Sequence, residues 1–187
     1  MKVGFIGIGN IGRPMANQIL ENGFNLTIYD IDRTNAKTLL DKGAVWAKSP
    51  REVSESSDII CTCLPGPIEM ESVIFGENGI LQGIQRNSIY IDLTTNSPAL
   101  VRKVHDVLAA RNVSMLDAPV SGGMEGALTR DLTVLVGGNS NTLKKCAPVL
   151  EAISKTVLHV GPIGAGCICK ITHNCASFVR SMALIEC

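Results

Sequence analysis

Aromatic side chains are scarce in this 187-residue chain: one Trp, two Tyr and four Phe, 4% in all. With 45% apolar residues, its core has to be built mostly from Ile, Leu, Val and Ala. Neither sign of charge is in excess, since 17 Lys and Arg face 17 Asp and Glu. That balance removes any electrostatic argument for nucleic acid or an anionic membrane surface as a partner. No apolar run reaches the roughly 20 residues that a bilayer-spanning helix needs. The first strand pattern begins at residue 2, which leaves no room ahead of it for a signal or transit peptide in the chain as it stands. The seven cysteines are odd in number and contain no C-x-x-C pair. They read as reduced thiols of an intracellular protein, expected in the cytoplasm. There is no internal repeat and no low-complexity linker. The length is long for one average domain and short for two.

What is present begins at once. Lys2-Val-Gly-Phe-Ile6 suits a buried parallel strand, and Gly7, Gly9 and Gly12 follow in G-x-G-x-x-G spacing. A helical pattern then carries Met15, Ile19 and Leu20 on one face, with Gly23 just past its end. In this arrangement Gly7 allows the tight turn, Gly9 lets backbone approach a pyrophosphate, and Gly12 lets the helix pack close to the strand. The positive end of the helix faces the phosphates. A second strand, residues 26–29, ends in Asp30, eighteen positions after Gly12, near the distance expected for a carboxylate that binds the adenosine ribose. Asp30 with Asp32 would repel a 2′-phosphate, which favours NAD; Arg33 is the counter-signal and keeps NADP open.

Strands and helices then alternate. The pattern predicts a helix over 34–42 stopped by Gly43, and a short strand over 44–47. Ser49-Pro-Arg-Glu52 forms a capping box with proline at the first helical position. Strands follow at 58–64, 88–92 and 113–117, with helices at 68–75 and 98–111 between them. This rhythm predicts a doubly wound, mostly parallel sheet of the Rossmann type. Between Asp117 and the strand 132–136 no long helix fits, so those two strands are expected to run antiparallel. A helix over 141–153 and a strand over 156–160 complete the domain.

The last segment differs. After Gly161-Pro-Ile-Gly-Ala-Gly166 an uninterrupted helical pattern runs to the terminus. Ile168, Ile171, Cys175, Phe178, Met182 and Ile185 recur at steps of three and four, and Lys170, Asn174, Ser177 and Ser181 form a second stripe. An apolar stripe of this length needs a partner, so the chain is expected to form a homodimer or larger assembly unless the stripe folds back.

With these pieces in view, the chain resembles the β-hydroxyacid dehydrogenase family, to which the 3-hydroxyisobutyrate dehydrogenases belong. The likeness rests on Gly7-Ile-Gly-Asn-Ile-Gly-Arg-Pro-Met-Ala16, Leu64-Pro65, Asp92-Leu-Thr-Thr95, Asp117-Ala-Pro-Val-Ser-Gly-Gly123, and Gly161 through Lys170 to Asn174. The resemblance implies an NAD-dependent oxidoreductase that interconverts a short 3-hydroxy acid and its semialdehyde or keto form. It implies that Lys170 is the catalytic acid/base, that Ser121, Gly122 and Gly123 bind the small-molecule hydroxy acid, and that Asn174 positions it. Gly7, Gly9, Asn10, Ile11, Gly12, Asp30, Leu64, Pro65 and Thr95 would hold the cofactor, and no metal is expected. Members of that family carry a helical second domain after the lysine, whereas this chain stops at Cys187, inside the helix that would begin it. The expected division is therefore an NAD(P)-binding domain over 1–162 and, over 163–187, the first helix of a truncated all-α domain.

Other readings remain. The His173-Asn174 pair is similar to that of 6-phosphogluconate dehydrogenase, which would imply a phosphorylated sugar acid. A non-catalytic dinucleotide-binding or oligomerisation module would also keep this fold. Cys167, Cys169, His173 and Cys175 crowd together, but four ligands cannot converge from one straight helix in that order. Cys61 and Cys63 read as small core residues on alternate sides of a strand, and Trp46 as a cap on the sheet edge.

Overall fold

Strand β1 (Lys2–Ile6) forms because every residue after Lys2 is apolar or glycine and buried, the pattern of a strand covered on both faces. A computed structural model describes residues Met1–Cys187. Helix α1 (Gly12–Glu21) leads to β2 (Asn25–Tyr29), and a 3₁₀ turn over Arg33–Ala36 tightens the entry to α2 (Lys37–Asp41). Then come β3 (Val45–Trp46), α3 (Pro50–Glu55), β4 (Ile59–Thr62), α4 (Pro67–Phe75), β5 (Ile89–Asp92), α5 (Pro98–Ala109) and β6 (Ser114–Asp117). The Ser49 hydroxyl caps α3 by accepting the Glu52 N–H at 3.2 Å. The Glu52 carboxylate reaches one residue further back than a capping box would, accepting the Lys48 N–H at 2.8 Å.

The strand order β3-β2-β1-β4-β5-β6 is parallel throughout. The chain reverses its direction of winding between β1 and β4, so a crevice opens there at the carboxyl ends of the strands. After β6 come β7 (Val120–Ser121), the short α6 (Gly123–Thr129), β8 (Thr133–Gly138), α7 (Ser140–Ile153) and β9 (Thr156–Gly161). As the missing crossover helix implies, β8 runs antiparallel to β6 and β7; β9 lies parallel along its other edge.

Alternation along the strands divides the core in two. Phe5, Cys61, Ile91 and Leu116 pack on the side covered by α1 and α7, with Met15, Ile19, Val149 and Leu150. Ile6, Ile60, Tyr90 and Met115 pack on the other side with Val53, Met70, Ile74, Val101 and Val104 of α3, α4 and α5. Cys61 and Cys63 both lie on the α1 side, which corrects the expectation of opposite sides, because residues two apart in a strand share a face. Trp46 sits on the edge strand, 5.9 Å from the Tyr29 ring, with the Arg33 guanidinium 5.6 Å over it.

The final helix, α8 (Ala165–Glu186), buries only Gly166 and Cys167. At 22 residues it is about 33 Å long. Its apolar stripe faces away from the domain, with Phe178 at 69% and Ile185 at 84% exposure. The stripe of Lys170, Asn174 and Ser177 is half-buried. No helix of the chain is long and apolar enough to cross a membrane.

One buried polar knot sits beneath the crevice. Asp92 ends β5 fully buried and accepts from the Thr62 hydroxyl at 3.0 Å, the Thr94 N–H at 3.1 Å and the Asn96 amide at 3.1 Å. Since Thr62 gives its proton to Asp92, the Tyr90 hydroxyl donates to Thr62, at 2.7 Å. Burial is the largest influence on the Asp92 carboxyl and raises its pKa from 3.8 to about 6, against the pull of those donors. The folded state therefore holds this proton more tightly than the unfolded chain does. Its contribution to stability is present below pH 3.8 and is lost as pH rises through about 6. The shift corresponds to about 3 kcal/mol. Urea midpoints measured from about pH 4 to about pH 7.5 should fall in the wild type by more than in Asp92→Asn. Equal slopes for the two proteins would assign the pH dependence elsewhere.

Candidate dinucleotide and hydroxy acid site

The crevice between β1 and β4 is an open cleft of about 630 Å³, within the range of small-molecule sites. Gly7, Gly9, Asn10, Ile11, Gly12, Asp30, Leu64 and Pro65 all line it. Thr95, the ninth residue expected there, is exposed on the loop after β5 and is not part of the lining. Asn35, Ile68, Glu69 and Ser72 line the cleft without having been singled out in the sequence. They come from α4 and the turn before α2, where no glycine or motif marks them.

The three glycines differ in what surrounds them. A Cβ on Gly12 would strike the Gly7 carbonyl and a Cβ on Gly7 the Cys63 carbonyl, so these two permit close packing of α1, β1 and β4. Gly9 has nothing within 4 Å of where its Cβ would be. Its bareness serves no contact within the chain and leaves room for a ligand over the start of α1. That start has no side-chain cap, and unpaired N–H groups at a helix N-terminus suit a phosphate. The donor set and the open cradle at Gly9 fit a dinucleotide pyrophosphate.

Asp30 does two things at the far wall. Its Oδ2 accepts the Ile8 N–H at 2.7 Å and its Oδ1 the Asp32 N–H at 2.8 Å, which fixes the glycine turn against the end of β2. The Asn35 amide also reaches Oδ1, at 3.5 Å, so Oδ2 is the oxygen that keeps a lone pair for a ribose hydroxyl. Asp32 accepts from the Thr34 N–H and hydroxyl, which hold its carboxyl below the usual range. At the opposite wall the Leu64 N–H donates to the Thr94 hydroxyl at 3.1 Å, tying the β4 loop to the Asp92 knot.

The remaining candidates lie on the β6–β8 side of the sheet. Ser121 is half-buried in β7, paired with Thr133 of β8. Gly122 and Gly123 follow with φ of +134° and +63°, turning the chain into α6. A Cβ on Gly122 would press on Leu132, whereas Gly123 faces open space. Lys170 and Asn174 lie one turn apart on the half-buried stripe of α8. Desolvation holds the Lys170 ammonium below its ordinary value of 10.5. His173 is exposed, so it does not share the stripe of Asn174. Nowhere do three His, Cys, Asp or Glu side chains gather closely enough to hold a metal ion.

Asp117, which opens one of the family-like motifs, has a structural role that sequence reading missed. It is buried at the end of β6 and accepts the Gly164 N–H at 2.7 Å and the Cys167 N–H at 2.8 Å, so it caps α8. The one available signal is that the buried strands β5 and β6 both end in an acid, which a buried strand end tolerates only with donors nearby.

Residues 2–161 match the family described as the NAD binding domain of 6-phosphogluconate dehydrogenase. The chain belongs to that family of NAD-binding Rossmann-type domains. Among named proteins, it is 36% identical over 184 residues to a probable mitochondrial 3-hydroxyisobutyrate dehydrogenase of Dictyostelium discoideum, covering 98% of this chain and 57% of that protein. It is 35% identical to an NAD-dependent L-serine dehydrogenase of Pseudomonas aeruginosa, covering 92% of this chain and 58% of that one. The solved structure of Mycobacterium tuberculosis 3-hydroxyisobutyrate dehydrogenase with L-serine matches with a TM-score of 0.93 at 30% identity, over 99% of this chain and 62% of that one. The chain thus spans less than two thirds of the length of these relatives.

The contrast between glycines is testable. Gly9→Ala should leave stability within about 0.5 kcal/mol yet weaken NAD binding at least about tenfold, or about 1.4 kcal/mol. Gly12→Ala should destabilise the fold itself. Calorimetric NAD titration and thermal melts on both variants check this, and unchanged NAD affinity in Gly9→Ala would place the pyrophosphate elsewhere.

Proposed function

We propose that this chain is the cofactor-binding part of an NAD-dependent dehydrogenase acting on a short 3-hydroxy acid. The observation that carries the reading is Lys170: a half-buried amine with no ion-pair partner, drawn down by desolvation, on a helix anchored to β6 of a domain that also holds a dinucleotide cleft. The names of the relatives support the substrate class, since 3-hydroxyisobutyrate and L-serine both carry a hydroxyl on the carbon β to a carboxylate.

The nicotinamide, when bound, supplies the hydride acceptor. Neutral Lys170 takes the alcohol proton, and the resulting ammonium returns it in the reverse direction. Ser121 and the backbone N–H groups of Gly122 and Gly123 grip the substrate carboxylate without a cation, and Asn174 orients the hydroxyl-bearing carbon. Gly7, Gly9, Asn10, Ile11, Gly12, Asp30, Leu64 and Pro65 hold the dinucleotide; Thr95 would join them only by movement of its loop. NAD is preferred to NADP because Asp30 faces the ribose position while Arg33 is held over Trp46. A boundary near residue 162, a cytoplasmic setting and self-association through α8 belong to the same reading. A 6-phosphogluconate-type substrate is less well supported, since His173 points away from the half-buried stripe.

Three outcomes test this. Titration of both cofactors should give tighter NAD than NADP binding, and the reverse would overturn the Asp30 assignment. In a longer form that carries a helical part of the kind the family resemblance implies, Lys170→Ala should lower kcat by about two to four orders of magnitude with cofactor affinity nearly unchanged. Near-normal turnover in that variant would remove Lys170 from the mechanism. The present chain alone should bind NAD, scatter light as a dimer or larger, and turn over weakly, because Lys170 is only half-buried and water reaches its amine. A monomer with turnover of about 1 to 1,000 per second would contradict that.

A further inference from the structure

Lys170 stands on a helix that its own domain hardly grips. Of the 22 residues of α8 only Gly166 and Cys167 are buried, both in the first turn. Burial of apolar surface cannot by itself set the direction of so long a helix. Three features converge on that turn. The Asp117 carboxylate bridges the N–H groups of Gly164 and Cys167 with one oxygen each. Gly137 and Gly166 have no side chain where one would strike, respectively, the Asp117 carboxylate and the Leu135 and Asp117 carbonyls. The Cys167 side chain is fully buried in the core cluster that holds Tyr90 and Val104, which joins the turn to β5 and α5.

We infer that Asp117 is a positioning residue for Lys170, a buried clasp that fixes the start of α8 on β6 and β8 and so sets where the lysine stands. The carboxylate suits the task. It is negative at the positive end of a helix, it meets two N–H groups that would otherwise lack acceptors, and it sits on a central strand. Lys170 lies three residues beyond Cys167, less than one turn from the clasp, so a tilt of the first turn carries the amine with it. No charged neighbour shifts Lys170; desolvation alone holds its ammonium below 10.5. Its titration therefore reports how closely α8 lies against the domain.

This inference rests on the proposed function only for the meaning of Lys170. Its test needs no substrate, so either reading can fail without the other. Lysines of the present chain are dimethylated with ¹³C, the Lys170 resonance is assigned with Lys170→Arg, and its titration is followed by NMR in wild type, Asp117→Asn and Gly166→Ala. Asp117→Asn replaces one acceptor by a donor facing an N–H. Gly166→Ala keeps the carboxylate and improves helix propensity, yet pushes a methyl against Leu135 and Asp117. In both variants the Lys170 pKa should rise toward 10.5, and the Gly164 and Cys167 amides should exchange faster, while NAD affinity stays within about twofold. If Asp117→Asn fails to fold, Gly166→Ala decides alone. An unchanged Lys170 titration in a folded variant overturns the inference, as does a Lys170 shift that appears only together with loss of NAD binding, which would mark general loosening.

Discussion

Backbone N–H groups at the carboxyl end of a doubly wound sheet need acceptors in a place that must also stay open for a ligand. Three aspartates at strand ends supply them here. Asp30 after β2 takes the N–H groups of Ile8 and Asp32, Asp92 ending β5 takes that of Thr94, and Asp117 ending β6 takes those of Gly164 and Cys167. A buried N–H left unpaired costs about 1–3 kcal/mol, and a buried carboxylate left unpaired costs more. Each pairing thus relieves two penalties at once. It also decides geometry: the glycine turn, the loops around Leu64 and Thr94, and the start of α8 all hang from these three side chains.

The parts of this arrangement that could be read from the sequence are those where local pattern and long-range packing agree. The glycine spacing, the apolar β1 and the periodicity of α1 all specify the same strand–turn–helix, and the cleft lies where they put it. The antiparallel β8 followed from the lack of any segment long enough to cross over. The role of Asp117 was invisible for a physical reason. Its partners Gly164 and Cys167 lie 47 and 50 residues away, and a backbone N–H leaves no mark on the sequence. Thr95 was legible as part of a motif but not as a side chain with a direction, because a loop conformation is set by its anchors, here Asp92 and Asn96. The lining residues Ile68, Glu69 and Ser72 show the same limit, since the helix that carries them is placed by the sheet.

Helix α8 shows what amphipathic periodicity can and cannot say. Two stripes are plain in the sequence, and both exist. The polar one, with Lys170 and Asn174, turns toward the domain, and the apolar one, with Phe178, Met182 and Ile185, turns away. Periodicity identifies faces but not their partners. An exposed apolar face of this extent is uncommon on a monomeric domain. The relatives, which extend beyond the region matched by this chain, are consistent with such a face being covered in a longer protein.

The two halves of the site are held by different physics. Helix α1, which starts at the dinucleotide cleft, is fastened by Met15, Ala16 and Ile19, all with 0% exposure. Burying a large apolar side chain of this kind contributes about 1.5–3 kcal/mol. That helix cannot leave without opening the core. Helix α8 is fastened by two charge-assisted hydrogen bonds and one buried thiol, all in its first turn, and the lever beyond them is free. Hydrogen bonds to a charged group contribute about 1.5–3 kcal/mol each, enough to fix the base of a lever but not the far end of a helix about 33 Å long. The cleft is therefore a property of this domain, complete once the sheet has formed. The orientation of the distal part of α8 is shared between Asp117 and whatever covers Phe178, Met182 and Ile185. Cleft geometry and the placement of Lys170 are thus separable by structure, the first set by a packed core and the second by an anchored but largely uncovered helix.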